Sequence, residues 1–323
     1  MKILVTGGAG YVGSVVTRTL LAGGHHVRVL DALLYGGRAL LGCYHDERFA
    51  FLRGDIRDAA VVSKALDDIE AVVHLAAIVG DPACARQPDL ARAVNLEASL
   101  QLIALSRRAG VARFVFASTC SNYGKMADAA SYVTEESELR PVSLYAQTKV
   151  DVEHALLASP PLQPPAVTVL RFATIFGLSP RMRFDLTVNE FTLELLTKRR
   201  VTLYGERFWR PYVHVRDAAR AIRLVLESPV EAVRHQAFNV GDTSQNYQKG
   251  QLVELIRAQV GSDVQVERVS KSEDPRDYRV SFEKIQRALA FRITCTVEAG
   301  IQELIGAIRQ GVVTTGDTPD CRN

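Results

Sequence analysis

The sequence predicts an α/β fold, a doubly wound parallel sheet followed by a smaller C-terminal α/β region, on three observations. Short β-branched runs alternate with helix-length segments through the first half of the chain. Those runs are continuously apolar rather than alternating, and the regularity weakens after about residue 172. The strand-like runs are KILVT, HVRVLD, FAFLRGD, AVVHLAA, RFVFAS and VTVLRF. Between them, residues 11–23, 58–68, 88–109 and 143–158 read as helices. Alternation of this kind requires crossover connections, so the strands lie parallel with helices on both faces, and burial on both faces explains the continuous hydrophobicity. Beyond residue 172 come the loop GLSPRMRF, a helix near 185–199, a short strand at 201–204 and a helix over 217–228. The piece AFNVG, a helix over 247–260 and a strand-helix pair, YRVSFEKIQRAL, complete the reading. PPLQPP at 160–165 is a rigid connection too short to be a domain linker.

Composition narrows the function classes. A chain of 323 residues can bury a large core as one domain or two closely joined ones. Its net charge of +3, with both signs interspersed, leaves no electrostatic footprint for nucleic acid or for an anionic membrane. The five cysteines, at 43, 84, 120, 295 and 321, form no CxxC pair and no metal-ligand spacing. Free thiols in a reducing cytoplasm, with no structural metal, are the expectation. No charged leader precedes the first strand and no apolar run reaches membrane-spanning length, so a cytoplasmic protein is expected.

KILVT runs into Gly7-Gly8-Ala9-Gly10-Tyr11-Val12-Gly13, a GxxGxxG spacing that opens a helix. Glycines let the backbone turn sharply and approach a pyrophosphate, while the helix N-terminus offers free N–H groups and the positive end of its dipole. The next strand ends in Asp31, whose carboxylate can accept from both hydroxyls of an adenosine ribose and would repel a 2′-phosphate. The pattern is that of a Rossmann-type site favouring NAD over NADP. Asp55 and Ile56 follow the third strand as partners for the adenine edge. Leu75, Ala76 and Ala77 end the fourth in small residues that leave room for a cofactor, and His74 beside them reads as a packed histidine. Residues 1–172 thus form the NAD-binding domain, with segments near 211–240 returning to it, and 173–323 form mainly a substrate-binding domain.

Tyr145 and Lys149 lie four apart in SLYAQTKVDVEHAL, which puts both on one helix face. An ammonium beside a phenol favours the phenolate, as does a positive nicotinamide, and such a phenolate can take a proton from a sugar hydroxyl.

TGGAGYVG, Asp31, GDIRD, HLAA, STCSNYG, YAQTK, LRFATIFG and RPYVHVRD occur in the order found in the extended short-chain dehydrogenase/reductases, and the chain resembles their nucleotide-sugar epimerase/dehydratase branch. The resemblance implies that Thr119 hydrogen-bonds the sugar 4-oxygen, that Tyr145 is the acid/base, and that Lys149 binds the nicotinamide ribose and lowers the Tyr145 pKa. It places Asn95 at a cofactor contact, Arg210 on the nucleotide diphosphate, Arg276 as a second clamp and Asn189 as a substrate candidate. Relatives that eliminate water between C5 and C6 look like T-D-E where this chain has Thr119-Cys120-Ser121. Serine cannot readily abstract a sugar proton without a base. Cys120 is therefore read as a packing or substrate-shaping residue, with a thiol acid as the alternative. Asn122 and Thr174 depart from the family pattern. The expectation is an NAD-dependent 4-epimerase acting on a nucleotide-diphosphate sugar through a 4-keto sugar. The rivals are a net 4-oxidoreductase, a dehydratase using Cys120, and a non-catalytic NAD-binding regulatory protein. Apolar character on the 88–109 and 143–158 helices exceeds what one sheet face needs and points to a homodimer.

Overall fold

A computed structural model describes residues 1–126, 131–158, 160, 162–269 and 276–313; Cys321 and part of PPLQPP lie outside the described residues. The strands are β1 (Lys2–Thr6), β2 (His26–Asp31), β3 (Phe49–Arg53), β4 (Ala71–His74), β5 (Arg113–Thr119), β6 (Ala166–Phe172) and β7 (Thr174–Phe176). They continue as β8 (Arg200–Tyr204), β9 (Trp209–His214), β10 (Gln236–Val240), β11 (Asn246–Gln248) and β12 (Gln265–Val269). Seven of them form one parallel sheet in the order β10-β6-β5-β4-β1-β2-β3. All six strand-like runs of the first half are in it.

Alternation along each strand distributes side chains to two cores. Ile3 and Val5 of β1 pack with Val16 and Leu20 of the helix Tyr11–Ala22 and with Ile222 and Val225 of the helix Val215–Glu227. Leu4 between them faces the opposite side, toward Val62, Leu102, Val152 and Leu156 of the helices Ala59–Ala65, Ala98–Arg108 and Leu144–Leu157. A third core lies outside the sheet, where the helices Thr187–Thr197, Lys249–Val260 and Val297–Arg309 pack around Leu195, Leu252, Ile256, Ile301 and Leu304.

Three expectations need correction. The 88–109 helix is interrupted: Pro88–Arg92 passes through a wide π turn, Ala93–Glu97, before Ala98–Arg108 begins. Asn95 sits in that turn, its amide spent on the Ile78 backbone, so a tertiary contact and not helix propensity sets the local geometry. The strand proposed within YRVSFEKIQRAL makes only isolated bridges, Lys125 to Asp277 and Val133 to Val280, because the Val280 N–H and carbonyl bond the Asn246 side chain instead of a neighbouring strand. The pair's helix does form, as Glu283–Leu289. The sequence reading also passed over Val297–Arg309, whose Gly300 and Gly306 weaken its helix signal. Gly300 is there for packing, since a Cβ on it would overlap the Phe176 ring. Among the described residues no helix is long and apolar enough to cross a membrane.

Candidate active site

The carboxyl ends of β1, β2, β4, β5 and β6 open on a cavity of about 460 Å³, the place where a doubly wound sheet binds its ligand. Gly7 holds a left-handed φ of 75°, and a Cβ there would stand 2.7 Å from the Ala76 nitrogen. Gly13 is equally constrained, because a Cβ on it would overlap the Gly7 carbonyl. The turn is thus a backbone cradle that side chains would fill. Gly10, Tyr11 and Val12 line it at the start of the helix Tyr11–Ala22. The Tyr11 hydroxyl, however, donates to the Gly177 carbonyl at 2.7 Å and acts as a post between two parts of the fold.

Asp31 lines the cavity with one carboxylate oxygen accepting from Ala9 N (2.9 Å) and the other from Leu33 N (2.8 Å). Burial pushes its carboxyl up and those two N–H groups oppose the shift. Asp55 lines the cavity while paired with Arg57 at 2.7 Å, which draws its carboxyl down. Ile56, Leu75, Ala76 and Ala77 complete this wall. Asn95 does not reach it: the side chain is buried against Ile78, accepting from its N–H at 2.8 Å and donating to its carbonyl at 2.9 Å. Asn95 therefore shapes the loop that follows Ala77 from behind. His74 is packed as expected, bonded to Thr6 and Ser99 and pushed down to about 3 by burial, so it stays neutral.

Thr119 ends β5 at the cavity, with its hydroxyl accepting from Ser121 N at 3.1 Å. Tyr145 and Lys149 face it from the helix Leu144–Leu157, whose first turn is capped by Ser143 accepting from Ala146 N. Lys149 Nζ donates to the Ala117 carbonyl at 2.8 Å and lies 5.9 Å from the centre of the Tyr145 ring. Burial lowers the Lys149 pKa to about 8, against the pull of Glu153. Burial also raises the Tyr145 phenol, with the Arg183 charge acting the other way. In the protein on its own the phenol therefore stays protonated, and the expected lowering by Lys149 is outweighed. Behind these groups Glu153, one turn beyond Lys149, forms a buried ion pair with Arg171 at 2.7 Å and accepts from Ser118 and from Asn122. That network explains Asn122, the residue that departs from the family pattern.

The substrate candidates divide. Ser121 lines the cavity with its hydroxyl 3.3 Å from the Tyr278 hydroxyl. Arg210 is there too, its guanidinium 5.3 Å from the Tyr278 ring centre and donating to Trp209 O at 2.7 Å. Arg276 lines the opposite rim, paired with Asp81 at 2.8 Å. Cys120 does not line the cavity. Its thiol is buried behind Tyr278 with Tyr123, Val213 and Phe282, donating to the Arg171 carbonyl at 3.2 Å, and burial raises its pKa well above the usual thiol value. Asn189 also faces inward, accepting from Gly177 N (2.9 Å) and donating to Arg183 O (2.9 Å). Sequence reasoning missed Tyr278, Arg181, Arg183 and Lys249 on this wall. The two arginines stand in the quoted loop GLSPRMRF, where their number was a usable signal; nothing in spacing marks Tyr278 or Lys249.

A nucleotide-binding α/β sheet with a threonine, a tyrosine and a lysine gathered at its carboxyl edge defines an NAD-using short-chain dehydrogenase/reductase type of protein. The profile of the NAD dependent epimerase/dehydratase family matches residues 3–241, and the chain belongs to that family. A UDP-glucose 4-epimerase of Corynebacterium glutamicum is 31% identical over 90% of this chain and 90% of its own length. A dTDP-glucose 4,6-dehydratase of Streptomyces griseus is 33% identical over 90% of this chain and 88% of its own. The crystal structure of Thermus thermophilus UDP-glucose 4-epimerase in complex with NAD superposes with a TM-score of 0.84 at 29% identity, covering 97% of this chain and all of that one (100%). The cofactor is NAD, which the glycine cradle fits, and the enzyme belongs to the nucleotide-sugar branch.

Proposed function

We propose that this chain is a cytoplasmic NAD-dependent 4-epimerase of a nucleoside-diphosphate sugar. The observation that supports it best is the parting of two consecutive residues: Thr119 faces the cavity with Tyr145 and Lys149, while Cys120 is turned into the core. Elimination of water would need an acid and a base near C5 and C6 of the sugar. The acids on the cavity wall are Asp31 and Asp55 on the cofactor side and Asp81, which is paired with Arg276.

In this reading Thr119 bonds the sugar 4-oxygen and Tyr145 takes the 4-hydroxyl proton. NAD, when bound, accepts and returns the hydrogen of C4. Lys149 holds the nicotinamide ribose and favours the phenolate once the cofactor's own positive charge is added to the site. Arg210 and Arg276 hold the diphosphate, whose oxygens suit a planar guanidinium fork, and leave the sugar free to present its other face. Tyr145 then returns the proton to the epimerised oxygen. Residues 1–172, joined by the 211–240 segments, serve the cofactor in this proposal and the rest of 173–323 serves the substrate. Two copies pair through the 88–109 and 143–158 segments, on whose outer surface Leu100 is exposed.

The test is the product. Purified enzyme given UDP-glucose or dTDP-glucose should yield a sugar of unchanged mass, inverted at C4 by NMR, with no NADH accumulating. A product lighter by one water would replace the reading with a dehydratase, and accumulating NADH with a net oxidoreductase. Bound NAD without turnover of any nucleotide sugar would leave a binding protein.

A further inference from the structure

The segment 177–183 belongs by sequence to the substrate half, yet it is fastened to the cofactor's turn. The Tyr11 hydroxyl donates to Gly177 O, the Ser179 hydroxyl donates to Tyr11 O at 2.6 Å, and Ser179 and Ser14 hydroxyls meet at 3.1 Å. All three contacts fall on the first turn of the helix that the glycine cradle opens. Two residues further on, the Arg181 guanidinium lies 4.0 Å from the ring centre of Tyr35, which stands on the loop after Asp31. Arg181 is 6% exposed, and both residues line the cavity.

A pyrophosphate brings negative charge that the cradle meets only with backbone N–H groups and a helix dipole, since residues 7–13 contain no cation. The other cations of this region are committed elsewhere. Arg183 is paired with Asp185 through two contacts of 3.1 and 2.5 Å, Arg57 with Asp55, and Arg276 with Asp81. Arg181 arrives on a strand-to-helix segment pinned directly to the cradle's helix. Stacking on Tyr35 fixes the plane of its guanidinium and leaves the edge N–H groups for phosphate oxygens.

We propose that Arg181, laid flat on Tyr35, is the counter-ion of the NAD pyrophosphate, so that a residue of the substrate half closes over the cofactor and slows its escape. The inference rests on NAD as cofactor and is independent of which reaction the sugar undergoes.

The experiment measures cofactor retention. NAD content of the purified holoenzyme and its loss on dilution are followed for wild type, Arg181→Met, Arg181→Lys and Tyr35→Leu. ADP-ribose and adenosine are titrated into the same proteins after NAD is removed. Arg181→Met should hold NAD and ADP-ribose about tenfold to a hundredfold more weakly, the size of one charge-assisted contact, with adenosine unchanged. Arg181→Lys should recover part of the loss, and Tyr35→Leu should show a smaller loss of the same kind. Wild-type NAD retention in Arg181→Met would overturn the proposal, as would an equal loss of adenosine and ADP-ribose. Should Arg181→Met melt early, Tyr35→Leu decides, because unchanged ADP-ribose binding there removes the clamp.

Discussion

On the cofactor side the cavity wall is backbone and small side chains, Gly7 to Gly13 and Leu75 to Ala77; on the substrate side it is long cationic and phenolic side chains, Arg183, Arg210, Arg276 and Tyr278. The first wall is made by consecutive residues of regular strands, the second by segments far apart in the chain that meet only after folding. Binding on the first therefore depends on the shape of a turn, and binding on the second on individual side chains. Tyr145 and Lys149 stand at the join, on a helix that packs under the sheet and reaches both walls.

Substitutions can break this contrast. The largest effect belongs to the join: Tyr145→Phe should cut turnover by about 10² to 10⁴, the usual contribution of an acid/base, while the purified protein keeps its NAD. Residual turnover above a hundredth, measured by coupled assay, would give the proton to another group, with Tyr278 the first to examine. On the substrate wall, Arg210→Ala should weaken binding of a nucleoside diphosphate lacking sugar by about tenfold and leave the maximal rate nearly intact, because a remote contact is made alike in ground and transition states. Calorimetric titration of wild type and variant reads this directly; equal affinities would turn the arginine away from the diphosphate. The smallest effect is expected at Cys120→Ser, which keeps a donor for the Arg171 carbonyl. Turnover should be unchanged and stability lower by about 1 kcal/mol in denaturant titration, for exchanging a thiol for a better solvated hydroxyl in a packed site. Loss of product with oxidation at C4 preserved would return the thiol to the chemistry.

The same contrast governs what was legible beforehand. The seven-stranded sheet, the glycine cradle, Asp31 and the Tyr145/Lys149 pair all depend on spacing within one or two elements, and the sequence carries spacing in plain view. Asn95 and Asn189 misled because an amide on a helix looks the same whether it meets a ligand or a backbone; only the fold shows their amides spent on Ile78 and on Gly177 and Arg183. Strand β9 was missed for a related reason: Pro211 argues against a strand, yet its position opposite Asn246 in a three-stranded sheet is tolerated. Tyr278 had no local mark at all. It enters the site because Asn246 and the isolated bridges hold a chain without strand partners against the cavity.

Thr119 and Cys120 are neighbours at a strand end whose side chains part to opposite sides, one to solvent-filled space and one to packed interior. Over generations the two positions answer to different judges. A change at 119 is screened by the rate at which sugar is turned over, whereas a change at 120 is screened by volume and by the company of Tyr123, Val213 and Phe282. Position 120 is therefore free to drift among small residues with no effect on the chemistry, and a carboxylate arriving there would meet the buried Glu135 and Glu153 charges before it met a substrate.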